Sequence, residues 1–392
     1  MGKKMKSVLL SMLMIGSLSL GIYAQEETAA DQGTALARDP ISEFVEGLDP
    51  EIYAGIYADE NGEYHIAAVE PEVIERQIRA SRSVSSDIPV EQVAYSWQDL
   101  LDAQAALLEI QDDLGITAVG LDASQNALTV FAGELSEEQK QAVTDASPVK
   151  NILFQNDAFL LAIGSGQDDM ASVPDADDSG NEIEAAAVSS LQGGDWLQNK
   201  AGSNWSTLGY GAFLHYGASN QKQGYVTCGH GYTQGQAVYR GGAKIGTATA
   251  VRVSNGVDIT FIESSIRYAG QKNGKEAATY GAPVSGKKVY MYGARSGSKD
   301  GTIKSTNISG TWESNGVATH HDNIFSFNFP SQSGDSGSAL LMESSPNKYS
   351  LVGINIGMWF KNDDKENGEL VWGAACTWEK SANAIDAMPR NP

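Results

Sequence analysis

The chain has 392 residues, 41% hydrophobic, 8% aromatic and 19% charged, with a formal net charge of −22. That length suggests two or three domains, and the mixture excludes a fibrous repeat, a wholly disordered chain and a multi-span membrane protein. The acidic excess disfavours general nucleic-acid binding, because a phosphate backbone calls for a basic face.

The charge is unevenly divided. Residues 1–190 carry 34 Asp and Glu against 9 Lys and Arg, whereas residues 191–392 carry 15 against 18. Glycine runs the other way, 13 in the first stretch and 29 in the second. An acidic, glycine-poor half is joined to a near-neutral, glycine-rich one, as expected of domains with different tasks.

In chain order, Lys3, Lys4 and Lys6 precede an apolar run that ends at the small residue Ala24, and an acidic stretch follows from Gln25. This pattern predicts a cleaved secretory signal peptide over residues 1–24, and hence a secreted, extracellular protein. A β-hairpin is expected over 53–58 and 63–69, around the turn Asp59-Glu60-Asn61-Gly62. A helix should start near Pro71, and a longer one after Ser96, whose spacing to Asp99 resembles a capping box; Gly115 should close it. Residues 116–121 and 127–132 read as a second strand pair, Ser136 with Gln139 as another helix start, and 151–154 as a last strand. Residues 25–163 are therefore expected to be an acidic α+β region. It carries no catalytic constellation, and its one histidine, His65, has no evident partner in the sequence. Residues 164–187 are polar, acidic and aperiodic, which predicts a flexible, cleavable linker holding a processing site.

From residue 188 the texture changes. Short runs rich in Val, Ile, Tyr and Phe alternate with Gly/Ser/Asn turns, at 208–215, 225–228, 237–239, 257–262, 288–292, 324–327, 339–342, 351–356 and 370–376. That spacing predicts an all-β barrel or sandwich over 188–392, ending in a helix near 381–387. The chain's two cysteines, Cys228 and Cys376, leave open a disulfide or a pair of buried thiols.

The sharpest chemical signal is Gly334-Asp335-Ser336-Gly337-Ser338. A nucleophilic serine needs an exposed hydroxyl on a tight turn, with backbone N–H groups nearby to hold an oxyanion. It also needs a histidine base. The second half offers His215, His230, His320 and His321, and His230 lies where a β-rich run meets the glycine-rich turn Cys228-Gly229-His230-Gly231. A carboxylate must orient the imidazole, and Asp258 is an acid inside the apolar run 257–262, costly to bury without a partner. The order His230, Asp258, Ser336 is that of chymotrypsin-type barrels. Cys228-Gly229-His230 is too small a set for zinc, the pair His320-His321 reads as a solvated loop, and no cofactor is implied.

These segments resemble the bacterial chymotrypsin-fold serine endopeptidases of the alpha-lytic protease and streptogrisin group. Leu191-Gln192-Gly193-Gly194-Asp195 looks like the start of a mature enzyme, Thr227-Cys228-Gly229-His230 like its histidine motif, Val257-Asp258-Ile259-Thr260-Phe261 like its aspartate motif, and 334–338 like its serine motif. The resemblance implies an all-β catalytic domain of two six-stranded antiparallel barrels, preceded by a small α+β pro domain that assists folding and then inhibits. It implies His230 as general base and acid, Asp258 as its orienting partner, and Ser336 as nucleophile, with the N–H groups of Gly334 and Ser336 as the oxyanion hole. Asp335 would be buried to shape the loop. Its arginine partner in the family is replaced by Met291 here, which leaves Arg295 or a new N-terminus as candidates. The substrate pocket would be lined by Pro330, Ser331, Ser333, Ile356, Gly357 and Gly373, with an apolar residue expected before the scissile bond. The partners implied are a protein or peptide substrate and the chain's own pro region; no nucleic acid, no membrane after signal cleavage, and a monomer are expected. The competing readings are a catalytically inactive protease-fold binding protein and a secreted esterase using the same triad.

Overall fold

The computed structural model describes residues 33–155, 158–162, 188–199, 205–314, 317–361 and 369–392. The expected signal peptide and the linker 164–187 lie outside them. In the first half the local signals act as read. Gly62 takes φ +81° in the hairpin between Tyr53–Ala58 and Tyr64–Ala68, and the Asp59 carboxylate accepts the N–H groups of Asn61 (2.9 Å) and Glu63 (2.8 Å). Such an Asx-type cap closes the turn without help from the flanking strands. Ser96 and Asp99 exchange hydrogen bonds at the start of Trp97–Glu109, and Ser136 and Gln139 do the same for Glu137–Ala146. Gly115 adopts φ +69° where the turn Gln111–Leu114 ends, a conformation that costs glycine little. An additional helix, Pro40–Glu46, has Ile41, Phe44 and Val45 at helical spacing with Leu48 just beyond it; Asp39 caps it by accepting the N–H groups of Ile41 and Ser42. The α+β region holds two apolar clusters. One gathers Leu48, Ile66, Ile74 and Ile78; the other gathers Leu100, Leu107, Val119, Leu128, Val130 and Val143.

The second half is mostly β-sheet. Its pairings include a closed antiparallel ring: Lys288–Gly293, Gly297–Ser314, Val317–Phe327, Glu369–Thr377, Lys348–Lys361 and Ala339–Ser345, which returns to Lys288–Gly293. The ring encloses Val289, Met291, Ile303, Phe325, Phe327, Leu340 and Val352. A second antiparallel sheet runs from Trp205–Thr207 through Trp196–Asn199, Ala237–Arg240, Ala243–Ser254, Val257–Glu263, Lys222–Thr227 and Tyr210–Leu214 to Ala387–Pro389. The last helix is Trp378–Asn383, earlier than expected, because fully buried Trp378 anchors its start and residues 387–389 pair with Tyr210–Leu214 instead.

The two halves share one sheet and one core. Ile116–Asp122 adds antiparallel to Gly297–Ser314, with Ala118 opposite Gly310 and Leu121 opposite Thr306. Gly310 is required at that approach, since a Cβ there would stand 2.4 Å from the Thr117 carbonyl. Ala118 and Phe131 pack with Ile308, Ile324, Ile356, Ala374 and Cys376, and the Phe131 ring meets Trp372 edge-on at 6.3 Å between centroids. A further strand, Ala158–Ala162, pairs antiparallel with the edge Gly357–Lys361. At the chain's start, Ala37–Arg38 lies parallel to Thr279–Tyr280, and buried Asp39 accepts a hydrogen bond from Ser350 (2.8 Å).

Phe131→Ala should lower stability by about 3–5 kcal/mol, the usual cost of emptying a fully buried phenylalanine site. Thermal unfolding of the Ser336→Ala chain with and without the change measures it. Because the lost contacts lie across the shared sheet, limited proteolysis should release the first half sooner in the variant.

Candidate active site

The loop 331–338 is built around one acid. Asp335 is completely buried, and its carboxylate accepts the N–H groups of Arg295 (3.1 Å), Ser296 (3.0 Å) and Gln332 (2.9 Å) and the hydroxyl of Ser296 (2.6 Å). A buried carboxylate is tolerated when several donors satisfy it. Arg295 thus reaches Asp335 through its backbone; its guanidinium donates instead to the Ser333 carbonyl (3.3 Å). Met291, in the sequence position where the family pattern has an arginine, is a fully buried residue of the ring's core.

These bonds orient the peptide groups that follow. The C=O and N–H of a trans peptide point in opposite directions. The Ser333 carbonyl is held by Arg295, and the Asp335 carbonyl accepts from the N–H (3.0 Å) and hydroxyl (2.6 Å) of Ser338. The N–H groups of Gly334 and Ser336 therefore face away from those carbonyls, and among the described residues neither has an acceptor. Gly334 takes φ +100° with the Trp196 ring 2.8 Å from where a Cβ would be, so a side chain there is excluded twice over.

Ser336 is held by both sheets. Its carbonyl accepts the Thr207 N–H (2.8 Å), the next N–H, of Gly337, donates to the Asn355 carbonyl (2.8 Å), and Thr207 donates its hydroxyl to the Gly334 carbonyl (2.8 Å). Gly337, at φ +93°, lies so close to Thr227 and Cys228 that a Cβ would meet the Thr227 hydroxyl at 2.1 Å and the Cys228 nitrogen at 2.9 Å. The serine loop is thus packed directly against the strand end that carries the histidine. The Ser336 hydroxyl is buried and has no hydrogen-bond partner among the described residues.

The histidine and the aspartate meet because Lys222–Thr227 pairs with Val257–Glu263, Thr227 opposite Thr260, so that residues 228–230 emerge beside Asp258. The Asp258 carboxylate accepts the backbone N–H groups of Gly229 and His230 (2.8 Å for the latter) with one oxygen, and bonds His230 Nδ1 with the other. A proton on Nδ1 leaves Nε2 as the acceptor, the tautomer a general base requires. Burial lowers the His230 pKa, but the adjoining Asp258 charge outweighs it, with a smaller contribution from Cys228, and the net direction is well above 6.5. Burial raises Asp258, and the imidazole and the two N–H bonds outweigh that, so its net direction is below 3.8.

Of the other site residues, Ser331 is fully buried and donates to the Gly357 carbonyl (2.8 Å), and Pro330 and Ser333 are half-buried in the same loop. Ile356 packs against Phe131 of the first half, and a Cβ on Gly373 would meet the Phe327 ring at 2.0 Å. The disulfide left open by the sequence is not formed: Cys228 and Cys376 are both free, buried thiols in different core clusters. Two histidine readings are also corrected. His321 belongs to the strand Val317–Phe327, is 5% exposed and accepts the Gly256 N–H at 3.3 Å; alternation along the strand leaves only His320 in solvent, and burial holds His321 down at about 4. His65 has partners, Glu91 at 2.9 Å and the stacked ring of Tyr57. Tyr57 stands opposite His65 in the expected hairpin, whereas Glu91 and Gly256 are distant in sequence from the histidines they meet and no local pattern shows them.

No family model and no curated protein matches the sequence. Among solved structures the chain is similar to the bacterial Nocardiopsis protease (17% identity, 52% of this chain and 100% of that one, TM-score 0.41). It is similar also to Cellulomonas bogoriensis chymotrypsin (18%, 52% and 100%, TM-score 0.40) and to an alpha-lytic protease homologue, N4 (18%, 51% and 98%, TM-score 0.38). These neighbours are bacterial chymotrypsin-fold serine proteases, similar to about half of this chain at low identity.

The His230–Asp258 pair sets a pH window. A histidine raised above 6.5 contributes stability that is complete below that value and lost as pH climbs through the folded pKa; a carboxylate lowered from 3.8 contributes above 3.8 and loses it as pH falls. The pair should therefore stabilise the fold most between those limits. Nuclear magnetic resonance titration of His230 should give a midpoint above 6.5, and Asp258→Asn should lower it, because burial then acts against the smaller contribution of Cys228 alone.

Proposed function

We propose that this chain is the precursor of a secreted serine endopeptidase. Its catalytic body, 188–392, would be a chymotrypsin-like pair of six-stranded antiparallel barrels, and residues 25–163 its pro region. One observation carries the reading: an Nδ1-bonded His230–Asp258 pair stands beside a glycine-framed loop that presents Ser336 with two uncommitted backbone N–H groups. Ser336 attacks the scissile carbonyl while His230 takes the hydroxyl proton and then hands it to the leaving amine. Asp258 steadies the imidazolium. The N–H groups of Gly334 and Ser336 receive the oxyanion, each worth about 3–4 kcal/mol to the transition state. Water then repeats the sequence on the acyl-enzyme, releasing the second product.

The pro region's inhibitory role is supported by the strand Ala158–Ala162, which runs antiparallel along Gly357–Lys361, the edge that follows the expected pocket residues Ile356 and Gly357. A bound substrate adding to that edge would compete with it. Cleavage within 164–187 would leave this strand on the first half and free the edge for exchange.

Expression of the chain from Gln25 beside its Ser336→Ala variant, followed by mass spectrometry, tests both steps. Only the active chain should release a fragment beginning near Leu191 and take a fluorophosphonate label. Ser336→Ala should lower peptide turnover by at least about 10⁴-fold. An unlabelled, unprocessed wild-type chain would favour a catalytically inactive binding protein. Labelling with ester but no peptide turnover would favour an esterase.

A further inference from the structure

Asn355 is fully buried, and both its side-chain oxygen and nitrogen are without a hydrogen-bond partner among the described residues. Its backbone is bonded to the two residues after the nucleophile: it donates to the Ser338 carbonyl (2.9 Å) and accepts from the Gly337 N–H (2.8 Å). Its side chain shares a face with its direct strand partner Ala375, which in turn pairs with Phe325. Both neighbours belong to the apolar interior of the closed ring. An amide placed in such surroundings with neither group satisfied is disfavoured unless something else completes it. Two residues on, the Gly357 carbonyl already accepts from Ser331, so the polar groups nearest to it on this strand are in use.

Resting on the serine-endopeptidase reading, we propose that Asn355 determines specificity and selects a side chain ending in a primary amide, glutamine or asparagine, before the scissile bond. A primary amide brings one donor and one acceptor, and pairs with both orphaned atoms of Asn355 at once. An aliphatic side chain pairs with neither. A carboxylate uses the donor alone and brings a charge with no counter-ion. The buried cationic or imidazole side chains among the described residues are Lys287, Arg390 and His321, and each is engaged elsewhere. Lys287 donates to Gly62 and Ser344, Arg390 lies over the rings of Phe213 and Tyr268, and His321 accepts from Gly256. This differs from the apolar preference expected from sequence, which placed Ile356 and Gly357 of this strand in the pocket but not Asn355.

The test uses the processed enzyme and four fluorogenic peptides that differ only in the residue before the scissile bond: Gln, Glu, Leu or Lys. The wild type should favour Gln over each of the others by about 10-fold or more in kcat/KM. In Asn355→Leu the Gln-to-Leu ratio should fall by about 10–100-fold, with no earlier thermal unfolding, because the substitution removes an unpaired polar group. If that variant fails to fold, the wild-type ranking still decides. A wild type that takes the fluorophosphonate label but prefers Leu, Glu or Lys overturns the assignment of Asn355 and leaves the protease reading standing. A wild type that takes no label overturns both.

Discussion

The buried carboxylate of Asp335 is the constraint on which the site depends. Four donors converge on it, three of them backbone N–H groups from two separate loops, 295–296 and 332. Removing the charge from water is costly, and only this particular arrangement of the two loops satisfies it, so the acid selects one loop conformation. Everything chemical follows from that conformation. The Asp335 carbonyl is turned towards Ser338, the Ser333 carbonyl towards Arg295, and the N–H groups between them are left unused. Gly293 shows how tight the fit is, since a Cβ there would lie 2.1 Å from a carboxylate oxygen of Asp335.

Asp258 uses a buried acid differently. It bonds the backbone of Gly229 and His230 with one oxygen and the imidazole with the other, so a single side chain fixes both where the histidine stands and which nitrogen carries the proton. Gly229 is part of this arrangement, because a Cβ would meet the Arg252 carbonyl at 2.5 Å and the Ile259 nitrogen at 2.8 Å and push the strand end away. The serine loop then closes on the same strand end through Gly337. Gly229 and Gly337, each at a close backbone approach, bring the segments of Ser336, His230 and Asp258 together.

Most of this was legible where the signal is local. The hairpin turn at Asn61-Gly62 and the capping pairs Ser96/Asp99 and Ser136/Gln139 rest on contacts within a few residues, and the strands of the second half show as apolar runs between Gly/Ser/Asn turns, although their pairing joins distant segments. The serine, histidine and aspartate motifs were legible because each combines a chemically committed residue with glycine or an apolar strand. What sequence could not carry is long-range. His65 finds Glu91, His321 finds Gly256, and Asp335 finds the backbone of Arg295 and Ser296 only after the chain has folded. The helix Pro40–Glu46 was missed although its signals are local: Asp39 as a cap, Pro40 at the first position, and Ile41, Phe44, Val45 and Leu48 at helical spacing. Asn355 was hidden because an asparagine in an apolar run gives no sign of which face it occupies.

The uneven charge invites the idea that an acidic first half is held to the second by electrostatic attraction, and the contacts argue otherwise. The second half is close to neutral, and the ion pair that Arg38 of the first half forms with Glu379 of the second runs against the overall charge pattern. Lys287 does reach into the first half, but to the Gly62 carbonyl and the face of Tyr64 rather than to a carboxylate. Most of what joins the halves is uncharged: the antiparallel register of Ile116–Asp122 on Gly297–Ser314, and Phe131 among Ile308, Ile324 and Ile356. Salt screens exposed charges but leaves strand pairing and apolar burial in place. Ionic strength is therefore a poor lever for separating the halves, and loss of apolar contact at Phe131 a good one. The acidic surface is left to act on solubility and self-repulsion rather than on docking.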